Sequence, residues 1–294
     1  MPLLHILFGI IIAMVWGVNF VVMKIGLEQL DPFWFATLRF AIVLLLMLPW
    51  LRVVRGSMLH LALIGITIGG LHFGCAFMAL ELANKISAIV VLVQTNIPIT
   101  LIVAHFFLNE KVSVWRGAGI VIAFAGIMII TFDPAISGEG PAILAMLAAT
   151  VLYSIGSILM RTLKGVSVLT TQAWTGFYSV PILLALSLMF EEGQVRELVN
   201  LDGLHWSMLL YTAALSSVVG YGGINFLLKR HPVAHVAPIM LLVPVFATLS
   251  AVIFLDEVLT ARFLMGSAVT LAGLGLIHYR DWVLNRKMAK ALLP

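Results

Sequence analysis

Charge is what this chain of 294 residues has least of: Asp, Glu, Lys and Arg make up 10% of it, against 62% apolar residues. A soluble domain carries about 25% charged residues, so this balance excludes an ordinary soluble globule and leaves a polytopic membrane protein. Cysteine is nearly missing. Cys75 stands alone, which excludes an internal disulfide and any CxxC metal or redox site. No HExxH, GxSxG or P-loop sequence occurs, and no long apolar run has an Asp or Glu near its middle. Paired carboxylates for acid–base work or metal binding are therefore absent, as is the buried acid around which a cation exporter is built. Neither metal nor cofactor is expected, and the chain is not expected to be an enzyme. The longest connection, EEGQVRELVNLDG at 191–203, is too short to fold as a domain, and the first apolar run continues past the length of a cleavable signal.

What is there is length of apolar run. About 20 apolar residues cross a bilayer as a helix, and such runs lie near 3–26, 32–51, 58–80, 86–108, 114–132, 141–160, 166–190, 205–227, 234–255 and 262–279. The expected fold is an all-α polytopic membrane protein with ten transmembrane helices. Basic residues fix its orientation. With the N-terminus in the cytoplasm, twelve Lys and Arg fall in inner loops and the tail, and three, Lys85, Arg196 and Arg262, in outer ones. That asymmetry follows the positive-inside rule and puts both termini in the cytoplasm.

The two halves resemble each other. FFLNEKVSVWRGAGIVIAFAG (106–126) aligns with IFLDEVLTARFLMGSAVTLAG (253–273), pairing Glu110 with Glu257, Gly119 with Gly266 and Gly126 with Gly273. VWGVNFVVMK (15–24) aligns with LYSIGSILMR (152–161), pairing Lys24 with Arg161. An odd number of spans per repeat makes the second copy enter upside down, so two inverted five-helix repeats are expected, at 1–134 and 135–280, with a basic tail at 281–294. Secondary transporters built this way hold substrate near the midplane between halves.

Small residues at Gly119, Gly126, Gly266 and Gly273 lie on one face of their spans, as close helix packing requires. Glu110 and Glu257, at span ends beside basic residues, read as interface caps. Pro98 and Pro244 interrupt spans four and nine, and each removes an N–H and frees the carbonyl four residues back, that of Gln94 and Met240. Such positions act as hinges or as packing kinks. Polar residues within spans are few, expensive, and normally turned towards protein or a cavity. Trp16, Asn19, Phe20 and Met23 share a face of span one, and Tyr153, Ser157 and Met160 share one of span six. His72 and Phe77 lie within two turns on span three, Gln94 sits on span four, and Tyr221 and Asn225 lie one turn apart on span eight. Aromatic walls with a few amides suit an amphipathic small molecule, although hydrogen bonding between packed spans accounts for single members of the set. Trp16, Asn19, Phe20, His72, Phe77, Gln94, Tyr153, Ser157, Tyr221 and Asn225 are the candidate substrate-binding residues. His72 fits a proton relay or a hydrogen-bonded neutral ring. Arg39, on span two, reads as a structural residue paired with an acid at a span end, with carboxylate binding as the alternative.

The segments WGVNFVVMKIG, LNEKVSVWRGAGIVIAFAG and LVPVFATLSAVIFLDEVLTARFLMGSAVTLAGLGLI resemble the EamA-type repeats of the drug/metabolite transporter superfamily over nearly the whole chain. Within it, the likeness is to bacterial inner-membrane exporters of aromatic amino acids and to the cysteine/O-acetylserine exporter type. The resemblance implies a ten-helix exporter of amino acids and related metabolites without fixing the substrate. The aromatic residues expected around the cavity turn the expectation towards bulky, apolar or aromatic amino acids, exported by alternating access as in a secondary transporter. A lipophilic-drug or cation exporter and, further off, an integral-membrane enzyme are the alternatives. The expected partners are a small-molecule substrate and the lipid bilayer, with no nucleic acid, and the oligomeric state stays open.

Overall fold

The computed structural model describes residues 1–109, 113–133, 138–231 and 233–291, with the backbone alone for 233, 234, 237, 238 and 278–291. Glu110 and the expected repeat boundary near 134 lie outside these residues. Helices α1 (Leu3–Gly26), α2 (Pro32–Met47), α3 (Met58–Leu82), α4 (Ile86–Val93), α5 (Asn96–Leu108), α6 (Val114–Thr131), α7 (Gly140–Thr162), α8 (Val168–Phe190), α9 (Gln194–Asn200), α10 (Gly203–Arg230), α11 (Val233–Met240), α12 (Leu242–Phe254) and α13 (Ala261–Ala291) make up the described structure. Pro32 and Pro141 stand in first turns, and Ser113, Ser167 and Asp202 accept from the backbone N–H three residues on. Both devices begin a helix without an orphaned donor.

Among the described residues, eight helical stretches are long and apolar enough to cross a membrane, and two shorter apolar ones, Leu242–Phe254 and Ala261–Ile277, accompany them. The ninth apolar run differs from the uninterrupted span expected of it. It divides at Leu241, three residues before Pro244, into α11 and α12, neither of which is long enough alone. Span four divides in the same manner at Gln94–Thr95, ahead of Pro98. α3 and α10 carry wide π-helical stretches at Gly65–His72 and Tyr211–Gly220. Such insertions displace the following side chains around the helix axis and often occur at functional sites.

One end of the bundle gathers the loop residues near 27–31, 83–85, 132–133, 138–139, 191–202 and 255–260, and acids tie them together. Glu257 accepts from the N–H groups of Ile86 (2.5 Å) and Ser87 (3.2 Å) and from the Ser87 hydroxyl, capping α4. Glu139 accepts from Asn84 N–H at 3.0 Å, and Glu191 accepts from Phe33 and Trp34 at 2.6 and 2.9 Å, capping α2. Burial pushes the Glu191 carboxyl upward while those same N–H donors pull it down. Asp202, bonded by the backbone and ring of His205, is held at about 2, below its usual 3.8. Its folded form is the depressed one, so the cap contributes above pH ~4 and is lost as pH falls through that window. Lys24 Nζ donates to Leu80 O (2.9 Å) and Glu81 O (3.1 Å), satisfying the last carbonyls of α3.

The densest helix pair is α6 with α13. A Cβ on Gly126 would stand 2.6 Å from Gly266 O, and one on Gly273 2.7 Å from Gly119 O, so these four positions let two backbones touch. Gly126→Val is expected to force the pair apart at a cost of about 1–3 kcal/mol. Glu257→Ala, which leaves two buried N–H groups at the start of α4 without an acceptor, should cost a similar amount. Thermal unfolding in detergent checks both, and an unchanged transition for either variant would contradict this packing.

Candidate functional site

A cavity of 570 Å³ occupies the interior between α1, α3, α5, α7, α10 and the broken segment α11–α12. Its walls follow from local helix geometry. α1 presents Trp16, Asn19, Phe20 and Met23, which recur at three- and four-residue spacing and so share a face. α3 presents His72, Phe73, Ala76 and Phe77 immediately after its π-helical stretch, and α7 presents Thr150, Tyr153 and Ser157. α10 presents Ser216 and Tyr221 where its own π-helical stretch ends. Gln94 and Asn96 at one helix break, and Met240, Leu241 and Val243 at the other, complete the lining.

Of the ten residues expected at the site, nine lie on this wall: Trp16, Asn19, Phe20, His72, Phe77, Gln94, Tyr153, Ser157 and Tyr221. Asn225 does not. It lines a second cavity of 440 Å³, bounded also by Met160, Arg161, Thr171, Gln172 and Ser217, and donates to Tyr221 O at 2.7 Å. One turn separates Tyr221 from Asn225 along α10, enough to carry the second residue past the wall between cavities. That wall is made of four side chains that face both spaces: Arg39, Phe73, Tyr153 and Tyr221.

Breaking a helix at membrane depth exposes backbone groups that lipid cannot satisfy. Here they find partners. Ile97 N–H donates to Gln94 O at 3.2 Å, so the carbonyl expected to be freed by Pro98 is taken up by a tighter turn. Thr95 Oγ1 bonds Leu92 O at 2.6 Å, and Ser154 Oγ on α7 lies 3.2 Å from Asn96 O. Trp16 Nε1 donates to Ser216 O at 3.0 Å, and its ring lies 5.2 Å from that of Tyr221. Gly220 makes this possible, because a Cβ there would collide with the indole nitrogen. Tyr211 OH donates to Val15 O at 2.9 Å. His72 Nδ1 faces Ala149 O at 2.8 Å. A carbonyl only accepts, so the ring proton sits on Nδ1 and Nε2 remains to accept or to take a second proton. Asn19 is buried, and its Oδ1 has no hydrogen-bond partner among the described residues.

The residue that sequence reasoning set aside is Arg39. It does not reach a span-end acid. The residue is 3% exposed, and its guanidinium donates to Ser217 Oγ at 3.0 and 3.3 Å and lies 4.5 Å from the centre of the Phe73 ring. Among the described residues no carboxylate pairs with it. A signal existed: span two has no acid one turn from Arg39 on either side. Thr100 and Thr150, which also line the cavity, carried no such signal, since threonines are common in packed spans.

An all-helical membrane bundle enclosing an amphipathic internal cavity at helix breaks is the architecture of a multi-pass transporter of small molecules. The model of the EamA-like transporter family matches residues 3–132 and 140–279, and the chain belongs to that family. Relatives from Salmonella typhimurium and Escherichia coli, each named "Probable amino-acid metabolite efflux pump", are 29% identical over 90% of this chain and 92% of their own length. An "Uncharacterized transporter YoaV" from Bacillus subtilis is 22% identical over 92% of this chain and 96% of its own. A solved crystal structure sharing 19% identity superposes with a TM-score of 0.65 over 98% of this chain and 99% of that one, which shows the fold. The family and the named relatives are transporters, so the enzyme alternative falls away.

Gly220→Ala is expected to destabilise the protein by about 1–3 kcal/mol through the clash with Trp16, and by much less in a Trp16→Ala background. A double-mutant cycle on thermal unfolding reads the difference, and equal costs in both backgrounds would show that the indole is not what Gly220 accommodates.

Proposed function

We propose that the protein is a secondary transporter that exports amino acids, bulky, apolar or aromatic ones in particular, and related small metabolites across the bacterial inner membrane. The observation that carries this reading is the 570 Å³ cavity, with aromatic side chains from α1, α3, α7 and α10 around a few amides and hydroxyls. Such a lining holds an apolar body by area and orients a polar end by hydrogen bonds. Trp16, Phe20, Phe77, Tyr153 and Tyr221 form the apolar walls of the proposed substrate site. Asn19, His72, Gln94 and Ser157 supply its hydrogen bonds, and Asn225 meets substrate in the second cavity. The names of the relatives from Salmonella typhimurium and Escherichia coli support the substrate class.

Two cavities that meet at one four-residue wall support an alternating-access mechanism. In this reading the chain has ten spans in two inverted repeats, 1–134 and 135–280, followed by the tail 281–294. The paired π-helical stretches, the paired breaks before Pro98 and Pro244 and the reciprocal contacts of Gly119 with Gly273 and Gly126 with Gly266 support that symmetry. Pro98 and Pro244 act as its hinges. The acid-capped loops face the periplasm, and the opposite end, with Arg52, Arg55, Lys164 and Lys229, faces the cytoplasm with both termini. A lipophilic-cation exporter fits less well, because among the described residues neither cavity lining includes an Asp or Glu.

Uptake of a labelled amino-acid panel into proteoliposomes, with and without a proton gradient, tests the reading. Trp16→Ala and Gln94→Ala should each lower transport of an aromatic amino acid about tenfold or more, as expected for losing one contact worth about 1.4 kcal/mol. Folded yield should be unchanged. Full transport by both variants would put the site elsewhere.

A further inference from the structure

The cavity has a charge imbalance that bears on which amino-acid metabolites fit it. Arg39 is buried in the wall common to both cavities, and its partners are a hydroxyl, a thioether and aromatic rings. None of these neutralises it. Removing a guanidinium from water without a counter-charge is costly, and the cost is recovered when an anion pairs with it. Among the described residues no Asp or Glu lines either space to receive an ammonium. The acceptors on the lining residues are neutral, among them the buried Oδ1 of Asn19, unpartnered among the described residues, and, with the ring proton on Nδ1, the Nε2 of His72. A free amino acid brings one negative and one positive charge. Its carboxylate would satisfy Arg39, but its ammonium would then lie in the same low-dielectric space without a counter-ion and within range of the guanidinium, where like charges are weakly screened. A carboxylate whose nitrogen is acylated, or missing, brings the anion without that penalty, and an amide N–H matches neutral acceptors.

We infer that Arg39 is the carboxylate receptor of this site, and that the site prefers net-anionic metabolites, amphipathic monocarboxylates such as N-acylated bulky amino acids, over the zwitterions themselves. The inference rests on the reading of the 570 Å³ cavity as the substrate site and narrows its substrate class. Arg39 has the geometry for this role: planar paired donors suit a carboxylate, and rings at its faces hold the group in one orientation.

The experiment compares four ligands that share a benzyl group and differ in the charged groups they carry: phenethylamine, L-phenylalanine, N-acetyl-L-phenylalanine and 3-phenylpropionate. Binding to the purified full chain in detergent is measured by titration calorimetry, independently of transport. The two anions should bind about tenfold or more tighter than phenylalanine, and the amine weakest of all. Arg39→Gln should bring the four together, and Arg39→Lys, which keeps the charge and loses the planar fork, should keep the order with reduced affinity. Phenylalanine binding as tightly as its N-acetyl derivative, an unchanged order in Arg39→Gln, or no binding by any of the four would overturn the inference. The wild-type ladder needs no variant, so a misfolded Arg39→Gln does not remove the test. If the ladder holds but no amino acid or derivative is transported into proteoliposomes, the export reading fails while the carboxylate site stands. If zwitterions are transported and the ladder is flat, the reverse is true.

Discussion

Every backbone N–H and C=O in this bundle must find a partner without help from water, and the rest of the architecture depends on that requirement. An unbroken helix meets it by itself. A cavity that presents anything besides side-chain methyls and rings needs the helix to be opened, and each opening has to be closed by some other group. The break at Gln94–Asn96 is closed by a tight Ile97-to-Gln94 turn, by Thr95 and by Ser154 from α7. Its counterpart at Leu241 lines the same space. The hydroxyls of the neighbouring helices are therefore part of the condition for having a cavity there at all.

The same requirement shapes the helix ends. Where α2 and α4 begin, the orphan donors are met by carboxylates sent from other loops, Glu191 and Glu257, rather than by local caps. Lys24 does the complementary work at the end of α3. Each of these bonds joins segments distant in sequence, so the loop end of the bundle is held by helix termini whose partners come from elsewhere in the chain. Opening that end would mean surrendering several such caps together.

Much of this was legible beforehand. Low charge and long apolar runs define a helical membrane protein because hydrocarbon tolerates little else, and the Trp16–Asn19–Phe20–Met23 face of α1 could be read from helical spacing alone. Proline marked the helix breaks, though its effect on Gln94 O was misjudged, since a following N–H can take the freed carbonyl by closing a shorter turn. Asn225 was grouped with Tyr221 because they are four residues apart. Asn225 lies beyond the wall of which Tyr221 is part, and periodicity along one helix carries no information about such a wall. The π-helical stretches shift register just before His72 and Tyr221, and no residue type announced them.

Arg39 shows where the division lies. The sequence by itself determined the material: helices that cross a bilayer, small residues where two backbones meet, and a handful of polar groups that lipid cannot face. It also determined that a cation lies inside span two. What that cation does was decided only by tertiary structure, since its surroundings come from α1, α3 and α10. A counter-charge acts through space at a few ångströms, and in a bundle that distance is set by how helices far apart in sequence are brought together. Packed as they are, these helices bring Arg39 a hydroxyl and an aromatic face and, among the described residues, no acid.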